Sequence, residues 1–416
     1  MFTLACTLSQ RMANSGKLFH GLIVAPLAFC GAIGMAHAQD KIKVGFPMIL
    51  SGPGAQFGVP ILKGAQMYAD EINAKGGILG KKIEIVSRDT KSRPEEAVKV
   101  SRELILREQV NFLVGTFTSG EGPAVSEIAK ENKTVFLALG PKTDRLTAPD
   151  ALHPYVYRIA ANTTTEGRAA AALMAKWKGK RIATIAPDFA YGRDAVAVFV
   201  KEIKKLRPDV EIVDQQWPKL NEADYSPFIT AQMGAKPDAV FSVICCDNYS
   251  AFAKQGNALG YFKQINFNFL GVGESAAHES LKSLGVEYPV GVWGNAPDAF
   301  NLVPTDPATA KAHLDFSNRV RAYTKEEYPP SWSVTGYIGM HFLIEAIKKA
   351  NSADALKVSQ ALKGLELMTP MGPMTMRAKD HQLTRGLVWG RVTLKKEHPF
   401  PVLSPIEYID PKPLMD

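Results

Sequence analysis

The sequence predicts an α/β protein of two similar domains, each a parallel sheet covered by helices on both faces. Three observations carry this reading. Short β-rich runs alternate with helical stretches from Lys41 onward. The alternation resumes beyond residue 160 in a second block of the same kind. The chain has 416 residues, 46% hydrophobic and 22% charged, which suits a globular protein long enough for two cores.

The elements follow in order. Lys41-Ile42-Lys43-Val44-Gly45-Phe46 reads as a strand, and Pro47 is expected to close it because proline cannot donate to a ladder. A helix is expected from about Val59 to Asn73, with Ile61, Ala65, Tyr68 and Ile72 on one stripe, stopped by Lys75-Gly76-Gly77. A strand at 83–88, a helix from Pro94 to Glu108, a strand at 112–115, a helix from Glu121 to Asn132 and a strand at 134–137 complete the first block. The second block reads as helix 165–176, strand 181–186, helix 193–205, strand 211–217, helix 225–235, strand 239–243, helix 249–259 and strand 268–271. Helices at 308–327, 333–350 and 353–363 follow. The tail is expected to hold a β-ribbon of Met374-Thr375-Met376 and residues 387–394. No sequence repeat is visible, which excludes a solenoid.

Residues 1–38 read as a cleaved secretory signal. Arg11 and Lys17 are the only charges before Asp40, an apolar stretch runs from Gly21 to Cys30, and Ala36-His37-Ala38 puts small residues where a signal peptidase reads. The apolar run is short and broken by Gly and Pro, unlike a membrane span. Two other readings stay open. Leu27-Ala28-Phe29-Cys30 is similar to a lipoprotein box, which leaves a lipid on Cys30, although Phe29 stands where a small residue is wanted. The other is a retained anchor.

Without residues 1–38, the net charge falls from +8 to +6, with 47 basic against 41 acidic residues. These charges are dispersed, with no basic block of the kind that binds nucleic acid. Only Cys245-Cys246 remain of four cysteines, and neighbouring cysteines rarely bond, so no structural disulfide is expected. No metal or cofactor is expected: the chain lacks a CxxC, a His pair at ligand spacing and a P-loop.

Several segments together resemble a known family. They are Lys43-Val44-Gly45-Phe46-Pro47-Met48-Ile49-Leu50-Ser51-Gly52-Pro53, Gln56-Phe57-Gly58 and Glu71-Ile72-Asn73-Ala74-Lys75-Gly76-Gly77-Ile78-Leu79-Gly80. Asp188-Phe189-Ala190-Tyr191-Gly192, Asp224-Tyr225-Ser226-Pro227, Lys236-Pro237-Asp238-Ala239-Val240 and the stretch from Gly336-Tyr337 to Ala350 continue the likeness. The ordered set resembles the Leu/Ile/Val-binding family of periplasmic receptors, which serve ATP-driven (ABC) importers. The resemblance implies a type I periplasmic binding protein fold, two Rossmann-like lobes joined by a three-strand hinge. Crossings are expected near Ala161-Asn162, Asn295-Ala296 and Met368-Thr369. Lobe 1 is then 39–161 plus 296–368, and lobe 2 is 162–295 plus 369–416.

Ligands of open parallel sheets sit at the carboxyl ends of strands. Thr116-Phe117-Thr118-Ser119-Gly120 lies there, before a helix. Its hydroxyls suit a carboxylate, or else Thr118 or Ser119 caps the helix. The family's carboxylate-binding serine falls on Ser119. Gly140-Pro141-Lys142 follows the next strand. Lys142 stands where the family has a hydroxyl, and it either meets an acidic group of the ligand or points to solvent. Phe57 falls at the family's cleft-mouth aromatic, with core packing as the plain alternative. Tyr191 falls at the closing tyrosine, where cleft exposure is expected over burial. Cys245 stands near a pocket tyrosine of the family, with Asp247 beside it. Glu274 falls where amino-acid receptors meet the ligand ammonium; a one-residue shift puts Gly273 there, and a surface Glu is the plain alternative.

The expected function is an extracytoplasmic receptor that closes on an amino acid, branched-chain or related, or on a small organic or aromatic carboxylate. It would hand its ligand to a membrane permease, as a periplasmic monomer. A sensor on the same scaffold, and a hydrolase, are the alternatives. No GxSxG or HExxH supports the hydrolase.

Overall fold

The computed structural model describes residues 41–416 apart from Pro53, Asn266 and Phe267, and apart from the side chains of Cys246 and Asp247. The expected signal, residues 1–38, lies outside the described residues. No helix among the described residues is long and apolar enough to cross a membrane.

The first lobe opens with β1 (Lys41–Met48), α1 (Ala55–Ala74), β2 (Lys82–Asp89), α2 (Pro94–Leu106), β3 (Phe112–Gly115), α3 (Glu121–Glu131), β4 (Val135–Ala138) and β5 (Val156–Arg158). These strands form a parallel sheet in the order β2-β1-β3-β4-β5. The second lobe holds α4 (Thr163–Met174), β6 (Arg181–Ile185), α5 (Ala190–Leu206), β7 (Glu211–Gln216), α6 (Ser226–Ala235), β8 (Ala239–Ser242), α7 (Cys246–Ala258), α8 (Tyr261–Gln264), β9 (Phe269–Gly271), α9 (His278–Leu284) and β10 (Trp293–Ala296). The chain then forms α10 (Pro307–Thr324), α11 (Ser333–Ala350), α12 (Ala355–Leu362), β11 (Glu366–Thr369), β12 (Gly372–Thr375), β13 (Leu387–Thr393) and β14 (Val402–Ile409). The second sheet runs β14-β13-β10-β9-β8-β6-β7, with only β13 and β14 antiparallel to their neighbours.

The two parallel sheets share one wiring: the first strand of each lobe lies between the second and the third. The order therefore reverses between β1 and β3, and again between β6 and β8. Such reversal points leave a crevice at the carboxyl ends of the strands.

Pro47 does not close β1, which runs on to Met48 and pairs Pro47 with Arg88. The backbone direction explains this. Lys43 O accepts from Asn111 N on the β3 side, and Met48 O accepts from Thr90 N on the β2 side. Odd residues of β1 thus face β3, where pairing already ends at Gly45–Leu113, so the missing N–H of Pro47 breaks no ladder. The expected ribbon of 374–376 with 387–394 is also corrected. β12 pairs with β11, while β13 pairs with β10 and β14. Met368-Thr369, expected as a crossing, turns into that β11–β12 hairpin. The chain stays beside the first sheet, where Leu383 N donates to Arg158 O, and joins the second sheet only at Leu387.

Helices α1 and α11 cross at backbone contact. A Cβ on Gly64 would lie 1.9 Å from Ser333 O, and one on Gly336 would lie 1.8 Å from Ile61 O. Only glycine permits this approach, and the crossing brings the start of α1 beside the start of α11.

Near the passages between lobes, α9 of the second lobe meets the segment that leads into α11. The Glu279 carboxylate accepts from Ser331 Oγ at 2.6 Å and from Trp332 N at 3.3 Å. Burial pushes the Glu279 carboxyl up to about 7, against the pull of those two donors.

Two predictions follow from this packing. Gly64→Ala or Gly336→Ala forces the helices apart and costs roughly 1–3 kcal/mol of stability, measured by urea unfolding; unchanged midpoints would contradict the close crossing. Because the folded Glu279 carboxyl lies above its unfolded range, its contribution is full in acid and is lost as pH rises through about 7. Glu279→Gln should therefore gain melting temperature relative to the parent as pH rises from about 5 to 8. A pH-independent difference would refute the shift.

Candidate functional site

The crevices of the two lobes face one another across a single cleft of about 810 Å³. Residues just beyond β1 and β3 line one wall, and residues just beyond β6 and β8 line the other. The first-lobe wall is aromatic. Phe57, in the first turn of α1, stacks on Phe117 with centroids 5.8 Å apart, and Trp332 meets Phe117 edge-on at 5.2 Å. Phe57 is thus a buried packing residue and a cleft residue at once. The indole N–H of Trp332 has no acceptor among the described residues.

The loop after β3 was read as an anion site, and the chain supplies its own anion there. The Glu121 carboxylate accepts from Thr118 N at 2.7 Å, Phe117 N at 3.2 Å and Thr118 Oγ1 at 3.0 Å, while Glu121 N donates back to Thr118 Oγ1 at 3.3 Å. This is a capping box, Thr-x-x-Glu, and Thr118 is a cap. Ser119 is not. Its hydroxyl oxygen accepts from the backbone N–H groups of Lys142 and Thr143, both at 3.2 Å, and no described residue accepts its proton. Gly140 lines the cleft, and a Cβ there would lie 2.4 Å from Phe117 O, so the loops after β3 and β4 close up only around glycine. Pro141 does not line the cleft; it is buried against Gly122 on the far side of its loop.

Lys142 does not point to solvent. Its side chain is 8% exposed, and its ammonium lies 2.8 Å from Glu166 Oε1 and 2.5 Å from Glu274 Oε1, so it reaches from the first lobe to two carboxylates of the second. Arg158 holds the backbone beneath it. This buried guanidinium donates to Thr143 O at 2.5 Å, to Lys142 O at 3.3 Å and to Thr147 Oγ1 at 2.6 Å. Burial lowers Arg158 to about 10, which leaves it charged at neutral pH.

Glu166, in the first turn of α4, went unnoticed in the sequence. Its carboxylate is fully buried and receives Lys142 Nζ, Tyr191 OH at 2.5 Å, Asn295 Nδ2 at 2.7 Å and Gly273 N at 3.3 Å. Tyr191 is accordingly buried rather than exposed: its hydroxyl is spent on Glu166 while its ring lines the cleft under the Lys142 ammonium, 5.8 Å from the centroid. A carboxylate at a helix start is a common cap signal, and nothing local distinguishes this one.

Glu274 is no surface residue. It lines the cleft with a side chain 13% exposed, at φ +55°, following Gly273 at φ +75°. Asn295 Oδ1 accepts from its N–H at 2.7 Å. Gly273 has no side chain to accept in its place, and a Cβ there would lie 2.8 Å from the Cβ of Cys245. Cys245 lines the same wall with a free thiol. The side chain of Asp247 lies outside the described residues.

The charges divide unequally. Burial opposes every ion here. The two carboxylates nevertheless hold the Lys142 ammonium above the usual lysine range. Burial pushes Glu166 up, but Lys142, Tyr191 and Asn295 pull it below the ordinary carboxylate range. Glu274 is raised: burial and the nearby Glu166 charge outweigh the pull of Lys142 and of the more distant Arg385.

Known proteins place this arrangement. Residues 41–397 match the profile of the periplasmic binding protein family. The chain is 28% identical over 369 residues to the Leu/Ile/Val-binding protein BraC3 of Rhizobium johnstonii, covering 86% of this chain and 92% of that protein. Its fold is similar to a solute-binding protein of an ABC transporter from Rhodopseudomonas palustris BisB5 in complex with 3,4-dihydroxybenzoic acid, with a TM-score of 0.78 and 24% identity over 89% of this chain and 98% of that one. It is also similar to the branched-chain amino acid transporter substrate-binding protein LivJ of Streptococcus pneumoniae in complex with isoleucine, with a TM-score of 0.74 and 22% identity over 89% of this chain and 100% of that one. The profile match spans most of the chain, and the reversal points of its two sheets meet at one cleft: this chain belongs to the periplasmic binding protein family.

Proposed function

We propose that the chain is the extracytoplasmic receptor of an ATP-driven importer and that its ligand is a small aromatic carboxylate without an α-ammonium group. The observation that carries the ligand class is Lys142. A free amino acid needs an anionic partner for its ammonium, and the two carboxylates gathered at this end of the cleft already hold the Lys142 ammonium. The aromatic wall of Phe57, Phe117 and Trp332 suits a flat ring. Ser119 offers its hydroxyl proton to the acid. The relative from R. palustris, which holds a dihydroxybenzoic acid, agrees with this reading.

A branched-chain amino acid is the second reading, favoured by the isoleucine of the S. pneumoniae neighbour and by the Leu/Ile/Val-binding relative. It requires the ligand ammonium to displace Lys142 from Glu274.

We take residues 39–161 and 296–383 as the first lobe and 162–295 and 384–416 as the second. Closure then follows from contacts that exist only when both walls meet the ligand, with Ser119 and the aromatics on one side and Tyr191 and Cys245 on the other. A membrane permease would take the closed form, and residues 1–38 would direct the chain to the periplasm. Turnover has no support at the buried side-chain contact of Ser126 with His153. His153 Nδ1 accepts from Tyr155 N at 3.2 Å, so the Nε2 proton is donated to Ser126 Oγ, and the ring is no base for that serine.

A thermal-shift panel on the mature chain tests the ligand class. Benzoate, 4-hydroxybenzoate or 3,4-dihydroxybenzoate should raise the melting temperature and leucine should not; the reverse pattern decides for the amino acid. Lys142→Ala strips the buried carboxylates of their cation and should cost about 3–5 kcal/mol, with acid binding lost and leucine now stabilising the protein. Tyr191→Phe removes a hydrogen bond to a charged group and should weaken the acid by about tenfold or more, read by calorimetry. An unaltered affinity would leave closure without its second-lobe anchor.

A further inference from the structure

Three carboxylate and ammonium groups meet at the inner end of the cleft, and they do not balance. One cation, Lys142, serves two anions, Glu166 and Glu274. Within this hydrogen-bonded cluster one negative charge is left over, answered only through space by the buried Arg385, and a ligand carboxylate in the same cleft adds a second. Burying uncompensated like charges is costly, and the usual relief is neutralisation of one of them.

Hydrogen bonding decides which one. Glu166 receives four donors, and each of them stabilises its ionised form. Glu274 receives Lys142 alone and keeps a small exposure through which a proton passes from solvent. Its backbone is held in the left-handed region by the Asn295 contact, a conformation that a residue with a Cβ adopts only where its surroundings enforce it. The carboxyl is thus fixed against Lys142. The groups that face it from the surrounding elements are Lys142 after β4, Glu166 of α4, Tyr191 of α5, Cys245 before α7 and Arg385 before β13. Arg385 is buried, its Nη2 donates to Pro297 O and Thr335 Oγ1, and it acts on Glu274 through its charge and not through a hydrogen bond among the described residues.

We propose that Glu274 is the proton acceptor of this cleft: when a monoanionic ligand enters and the lobes close, Glu274 takes one proton from solvent while Glu166 stays ionised. The inference rests on the reading of the ligand as a carboxylate. Lys142 and Glu166 then form a neutral pair, neutral Glu274 adds a hydrogen-bond donor, and the ligand contributes the one remaining charge. The upward displacement of the free Glu274 carboxyl by burial and by Glu166 runs in the same direction. By linkage, affinity falls as pH rises above the Glu274 range, by up to about tenfold per pH unit.

Calorimetry of the mature chain tests this with benzoate, 4-hydroxybenzoate and 3,4-dihydroxybenzoate, each in phosphate and in Tris, buffers of different ionisation enthalpy. A Glu279→Gln background removes the Glu279 carboxyl, which burial raises to about 7. The expected result is a buffer-dependent enthalpy that reports uptake of about one proton per acid bound. Glu274→Gln should abolish the uptake and bind the acid several-fold more tightly at pH 8, because glutamine imitates the protonated form. The uncharged 4-hydroxybenzamide should bind without proton uptake. An acid that binds with equal enthalpy in both buffers overturns this proposal and leaves the ligand reading intact. Binding of leucine with none of the three acids overturns the ligand reading and the proposal together.

Discussion

The Glu166 carboxylate is the contact on which the rest of the cleft depends. A buried carboxylate is tolerable only if its lone pairs are filled and its charge is answered. Here the donors come from four separate segments: Lys142 after β4, Tyr191 at the start of α5, Gly273 after β9 and Asn295 in β10. Lys142 is the only one of these from the first lobe. The ion pair therefore does two jobs at once, since it satisfies Glu166 and joins the lobes. Removing it would leave the second lobe with an unanswered buried charge, so the closed arrangement and the electrostatics of the site stand or fall together.

The wiring of the sheets explains why these groups can meet. Each lobe places its first strand between its second and third, so each has a reversal point with loops at the carboxyl ends of its strands. Two such reversal points face each other. The loops of the first lobe bring aromatic rings and the Ser119 hydroxyl; those of the second bring Tyr191, Cys245 and Glu274. Glycine sets how closely they approach. Gly140 lets the loops after β3 and β4 touch, and Gly64 and Gly336 let α1 and α11 cross so that Phe57 and Trp332 stand together. The ligand wall is thus a consequence of backbone contacts some distance behind it.

Much of the fold was legible in the sequence because it is encoded locally. Strand and helix periodicities, Pro94 at a helix start and the glycines after Lys75 depend on near neighbours, and the elements fall within a few residues of expectation. Pairing is not local, and there the reading failed. Residues 387–393 are β-rich as any strand is, but β10, nearly a hundred residues earlier, is a partner along with β14. Pro47 was misread because a proline in β1 matters only on the side where a ladder continues, and that depends on β3. The cleft was legible in its loops and not in its charges. Thr118-x-x-Glu121 is a capping box visible in four residues, and noticing it would have separated Thr118 from Ser119. Glu166 gave no such signal, because its partners lie up to 129 residues away.

Lys142 shows what that separation hides. Beside the family resemblance it was an odd substitution, a cation where a hydroxyl was expected, and its plain reading was solvent. In place it is an internal counter-ion, with its ammonium over the Tyr191 ring and between two carboxylates. A site that carries its own ammonium has no need of one from the ligand, and it disfavours a ligand that brings one, because a second cation must compete for Glu274 against a tethered one. Selectivity of this kind needs no steric exclusion. On the proposed reading it comes from having satisfied in advance the charge that an amino acid would have supplied, and it leaves the aromatic wall and the Ser119 hydroxyl to choose among acids.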